Sequence, residues 1–73
     1  MDQMQRRMIA YTIACVNEFA KRKAVHPQKA FFYLDRYEGI KFLKENYEIE
    51  HTLSMEDAVD DLEMVCRNNG GAL

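Results

Sequence analysis

Between Gln3 and Lys23 the chain spreads apolar side chains over so wide an arc of a helix that one neighbouring element cannot cover it. At about 100° per residue, Met4, Met8, Tyr11, Thr12, Cys15, Val16 and Phe19 share a stripe, and Ile9, Ile13 and Ala20 widen it to about 200°. Such a helix is predicted to be central, with the rest of the chain packed on both flanks. Its polar edge is the narrow strip of Arg6, Arg7, Asn17, Glu18 and Lys21. The Lys21-Arg22-Lys23 triplet falls at the C-terminus, where cations match the negative end of the helix dipole. It reads as a solvated helix end rather than a phosphate site. Arg6-Arg7 ahead of MIAYTIACV has something of a signal peptide, but the apolar run is short, contains Thr12 and leads into NEFAKRK without a small-residue cleavage site. The segment is expected to stay as a core helix.

The last helix is legible residue by residue. Ser54 is a side-chain acceptor just before a periodic apolar run, and Asp57 puts a carboxylate over the orphan amides of the first turn, so the helix is predicted to begin at Met55. Met55, Ala58, Val59, Leu62, Val65 and Cys66 fall on one side; Glu56, Asp57, Asp60, Asp61, Glu63 and Arg67 fall on the other. Gly70-Gly71 supplies the positive-φ residues that stop helices.

Between these two helices the signals are shorter. Pro27 suits the first turn of a second helix, predicted over 27–37, with Ala30, Leu34 and Tyr37 inward and Phe31 beside them. Phe32 then lies nearly opposite, among Gln28, Lys29, Asp35 and Arg36. Either a short third helix over 40–46 folds across it, the arrangement favoured by the scarcity of other elements, or it is exposed and anchors a partner. From Tyr47 to Leu53 apolar and polar residues alternate with a period of two, with Tyr47, Ile49, His51 and Leu53 on one side and Glu48, Glu50 and Thr52 on the other. A lone strand has no partner in this chain, so the segment is read as an extended connector crossing the helices.

A chain of 73 residues makes one domain, predicted as an ordered core over about 3–69, and a core of this size nets only about 3–5 kcal/mol. With 48% hydrophobic and 30% charged residues, it is too apolar for a disordered tail and too charged for a membrane span. The formal charge of −2 disfavours nucleic acid, and the five carboxylates on the outer face of the last helix would repel phosphates from a groove-reading helix. Cys15 and Cys66 lie on apolar stripes without close spacing, which reads as two buried thiols of a reducing cytoplasm rather than a disulfide, a bridge being open to them only if their helices pack side by side.

The chemistry-bearing residues form no recognised constellation. Cys15, Cys66, His26 and His51 lack metal-motif spacing, so neither a metal nor a cofactor is expected. Asp60-Asp61 sits on a solvated convex face where nothing would drive two carboxyl pKa values apart. His51, on the inward side of the connector beside Tyr47 and Thr52, is the residue best placed for either a structural hydrogen bond or a catalytic role, the structural one being preferred. Met64, flanked by Asp60 and Glu63, offers a small apolar contact ringed by charge that suits a basic protein surface.

Residues 8–66 resemble a small, uncharacterised bacterial family of the domain-of-unknown-function type. The likeness rests on Cys15-Val16-Asn17-Glu18-Phe19-Ala20-Lys21, on the aromatic segment Ala30–Tyr37, and above all on Asn46-Tyr47-Glu48-Ile49-Glu50-His51-Thr52, a tyrosine, acid, apolar, His-Thr signature followed by a helix such as Ala58–Leu62. His26-Pro27 departs from the small polar cap with which relatives enter the second helix. The resemblance implies a fold but no mechanism. It also implies a genomic setting beside other small proteins, some similar to ADP-ribosyltransferase-type toxins, which suits a binding partner.

These readings predict an all-α bundle of four helices, one of them short, with a central first helix and an extended connector before the last. The expected function is that of a cytoplasmic, non-catalytic protein-interaction module whose partner is another protein, a second copy included. Phe32, Asp60, Glu63 and Met64 are its expected contacts. The rivals are a small nucleic-acid-binding regulator and an enzyme or metal-binding protein built on His51 and Tyr47.

Overall fold

The computed structural model describes residues 1–73 and is all-helical. Helix α1 spans Gln3–Lys23, α2 Pro27–Arg36, α3 Gly39–Glu45, α4 Tyr47–Glu50 and α5 Met55–Asn68. Helix α1 packs on α2, α3 and α5 as the central element of the bundle.

The helix ends form where the side chains dictate. Asp2 accepts from the Gln5 amide at 2.7 Å while Gln5 Oε1 accepts from the Asp2 amide, a reciprocal capping box that starts α1. His26 Nδ1 accepts from the Gln28 amide at 3.1 Å with Pro27 at the first helical position, so an imidazole replaces the usual small polar cap of α2. Ser54 Oγ accepts from the Asp57 amide at 3.0 Å and opens α5. At the other end Gly70 takes φ 99°, and the Gly70 and Gly71 amides turn back to the carbonyls of Arg67 and Cys66, closing α5 in a Schellman motif. Beyond it, the Leu73 amide donates to the Tyr33 hydroxyl.

Eleven side chains make the core: Cys15, Val16, Phe19 and Ala20 of α1, Ala30 and Leu34 of α2, Leu43 of α3, and Ala58, Val59, Leu62 and Cys66 of α5. Tyr33 extends it outward, stacked on Phe19 with ring centroids 5.7 Å apart and tilted against Tyr37. Gly39 lets α3 begin against this core, since a Cβ there would lie 3.0 Å from Leu34 Cδ2 and 3.3 Å from Cys66 Sγ. Cys15 and Cys66 are both free and fully buried.

Three expectations are corrected. The 47–53 connector is not extended: its first four residues form α4, the Ile49 and Glu50 amides bonding back to the Asn46 carbonyl and the His51 amide to that of Tyr47. The third helix does not cover Phe32, which is 61% exposed. The wide apolar arc of α1 is covered only over its C-terminal half. At about 1.5 Å per residue α1 is about 31 Å long and α2 about 15 Å, so α1 overhangs its neighbour. Met4, Ile9 and Ile13 are consequently 46%, 46% and 56% exposed.

Two substitutions test this account of the ends. Ser54→Ala is expected to lower stability by about 1 kcal/mol in denaturant unfolding, and an unchanged midpoint would show that the cap is idle. Ala24 closes α1 at φ 54°, so Ala24→Gly is expected to raise stability by about 1 kcal/mol by removing the left-handed penalty on a Cβ-bearing residue.

Candidate functional site

The overhang of α1 creates the most conspicuous surface feature. Met1, Met8, Ile9, Thr12 and Ile13 form one wall of an open groove of about 510 Å³; Ile40 and Lys44 of α3 form the other, and Phe31 of α2 closes one end. The lining is apolar apart from Gln5, Thr12 and Lys44. Phe32 continues the apolar surface past Phe31, the two rings meeting edge to face at 5.9 Å. A second, smaller hollow beyond Met8 and Lys44 extends it to Met4 and Ile49. Ile49 is 65% exposed.

Lys44, the one charged side chain lining this groove, has no ion-pair partner, and Glu45 and Glu48 line the hollow beyond it. Every ion pair of the chain lies at the opposite end of α1, where Arg22 bonds Asp60 at 2.5 Å and Lys23 bonds Glu63 at 2.7 Å, with Arg67 and Lys21 in outlying pairs. Arg6, Arg7, Lys29, Lys41 and Lys44 make none. The Lys21-Arg22-Lys23 end, expected to be solvated, instead ties α1 to α5. Three cations hold the Glu63 carboxyl below the usual range, Lys23 foremost through its hydrogen bond. Asp60 and Glu63 are therefore engaged within the chain, and Met64 stands 62% exposed beside them.

The signature segment is placed otherwise than expected. His51 is exposed rather than inward: its ring stacks on Tyr47 at 4.5 Å, and Nδ1–H donates to the Tyr47 carbonyl at 2.6 Å. Thr52 Oγ1 donates to the Ile49 carbonyl, and Tyr47 meets Tyr11 edge to face at 5.6 Å. Tyr47, His51 and Thr52 thus close the turn upon itself. Asp57 contributes its amide to the Ser54 cap.

The inward residue of that turn is Glu50, which the period-two reading had placed outward. It is 4% exposed, and its Oε1 has no hydrogen-bond partner. The Tyr11 hydroxyl donates to its carbonyl at 2.9 Å. Burial foremost, and the facing Asp61 carboxyl, push the Glu50 carboxyl up to about 7. Asp60-Asp61 is accordingly not a uniformly solvated pair, since Asp61 faces a second carboxyl. Burial also raises the thiols, Cys66 to about 11, so both are protonated at neutral pH and unsuited to nucleophilic attack. No three His, Cys, Asp or Glu side chains converge in a metal-binding group. No helix is long and apolar enough to cross a membrane.

The family model described as "Protein of unknown function (DUF3791)" matches residues 10–69. The chain belongs to this family. The match spans the core helices, the Tyr47-to-Thr52 turn with its buried Glu50, and the Ser54 cap. It leaves out the first nine residues, where Met1, Gln5, Met8 and Ile9 of the groove lie. No curated protein and no solved structure matches the chain.

Glu50 makes a pH prediction with a definite sign. Its carboxyl is raised in the folded state from an ordinary 4.5 to about 7, so over that interval the folded chain keeps a proton that the unfolded chain releases. Stability should therefore fall as pH rises from about 4.5 to about 7 and then level off. Glu63 is shifted downward, so its stabilisation is present above 4.5 and fades only at lower pH. Glu50→Gln should melt higher than the wild type at pH about 8 and lose most of the slope between pH about 5 and about 7. An identical slope in the variant would mean that the carboxyl is hydrated and titrates normally.

Proposed function

We propose that this DUF3791 protein is a non-catalytic interaction module that binds another protein through the groove on the overhanging half of α1. The single observation that carries the reading is the continuity of exposed apolar side chains there. Met1, Ile9, Ile13, Phe31 and Phe32 are each 40% exposed or more, and they adjoin one another rather than being scattered singly. A chain with so small a core gains nothing in its own stability from leaving isoleucines and phenylalanines in water. Binding by a partner gives that exposure a use.

Two features support the absence of catalysis in this proposal. The groove holds no histidine, thiol or carboxylate with which to run general acid-base or nucleophilic chemistry. His51 spends one ring nitrogen on its own backbone and stands on an open surface. The products of neighbouring genes are the first partners to test, in the cytoplasm that the two free thiols suit.

The test is co-expression with those neighbours and affinity capture, comparing the wild type with Ile13→Asp. The variant changes a 56% exposed residue, so its helical spectrum and melting should be nearly unaltered. It is expected to lose a partner that the wild type retains; equal recovery by both would remove the groove from the interface. Phe32→Ala, at the margin of the groove, is expected to weaken capture while changing stability by less than about 0.5 kcal/mol. A loss of several kcal/mol would make Phe32 part of the core.

A further inference from the structure

We infer that the occupant of the α1–α3 groove is an amphipathic helix of a different protein, flanked by acidic residues. This rests on the interaction reading above and adds the chemistry of the partner. The shape comes from the groove walls. From Met1 to Ile13 the α1 wall runs roughly three helical turns, and the facing wall, Ile40 and Lys44, is a single turn of α3. An open trough of that length between two helices accepts a third helix laid along it, with apolar anchors at positions i, i+3 or i+4, and i+7. An extended strand would find no exposed sheet edge to pair with, because the chain has no strand.

The charge preference comes from the two lips. Lys44 stands on the α3 side. On the α1 side Arg6 lies one turn before Ile9 and Ala10, next to the Ile9–Ile13 stripe. Neither of these two cations is paired within the chain. Of the nearest carboxylates, Asp2 accepts from the Gln5 amide, and Glu45 and Glu48 lie outside the trough, in the hollow beyond Lys44. A helix in the trough therefore meets positive charge on both flanks, and carboxylates on its own flanks would complete the pairs.

The same lips argue against a second copy. A two-fold dimer would set the groove against itself, bringing Arg6 and Lys44 toward their own equivalents, and like charges across an interface are repulsive. Met64 and its acids on α5 offer a complementary charge but one exposed apolar side chain, too few to fill a trough lined by six hydrophobic residues.

Two designed helical peptides with an identical Leu/Ile face, one flanked by Glu and the other by Lys, test the inference by fluorescence anisotropy against the intact chain. The Glu-flanked peptide is expected to bind at least about ten-fold tighter than its Lys-flanked twin, with the margin shrinking as salt rises from about 0.05 M to about 0.5 M. Lys44→Glu should cut or reverse the preference, and Ile13→Asp should weaken both peptides. Equal binding of the two peptides, or a preference untouched by Lys44→Glu, overturns the acidic-helix assignment while leaving the groove a docking surface. A concentration-dependent dimer abolished by Ile13→Asp overturns it in favour of a second copy. Binding to phosphatidylglycerol vesicles that is lost in both variants overturns it in favour of an anionic bilayer. Absence of any binding, dimer or vesicle association overturns it together with the reading on which it rests.

Discussion

The structure depends on a difference in length: a 21-residue helix is covered by partners of 10, 7 and 14 residues. Helix α2 returns along α1 from the tight turn at Ala24, and α5 reaches it through the Arg22–Asp60 and Lys23–Glu63 pairs. Both covers therefore start from the C-terminal end of α1. The core gathers there, with Cys15, Val16, Phe19 and Ala20 buried and no side chain of α1 before Cys15 buried to the same degree. Burial of about 2 kcal/mol for a fully covered large apolar side chain makes that end the source of stability. The overhang is held by its capping box and by helix propagation from the buried half.

This separation explains which parts of the fold were legible in the sequence. The first and last helices announce themselves through caps, periodicity and stop signals, all local properties, and their observed ends agree with Asp2, Ser54 and Gly70 acting as those signals. Periodicity marks which side chains are apolar, but it carries no information on how far a neighbour extends. Ile9 and Ile13 look the same in the sequence as Val16 and Ala20. Only the brevity of α2 leaves the first pair in water. The one available clue was arithmetic: about ten residues between Pro27 and the break at Glu38-Gly39 cannot shadow twenty.

The signature segment was misread for a different reason. Tyr47, Ile49, His51 and Leu53 alternate with polar residues, and over so few positions a period of two cannot be told from a single helical turn followed by a bend. Helical spacing brings Tyr47 and His51 together as i and i+4, where the rings stack and the imidazole returns to the backbone. Turning the segment by that amount sends Glu50 inward and Ile49 outward. A buried glutamate is chemically unwelcome, so no reading based on polarity would place it there. It is tolerated because a carboxyl that keeps its proton is a neutral group, a state that burial and the nearby Asp61 carboxyl both favour.

The net charge of −2 conceals a polar molecule. At one end of α1 the carboxylates of α5 are matched by Arg22 and Lys23, and the cations there serve the fold. At the other end Arg6 and Lys44 flank apolar side chains and make no ion pair within the chain. A surface whose charges and hydrophobes are both unsatisfied has two separate reasons to be covered, of which one weakens with salt and the other does not. The acidic outer face of α5, which the sequence made the natural place to look for a partner, is electrostatically the more satisfied of the two. Composition counts charges without locating them; the fold decides which remain available for a partner.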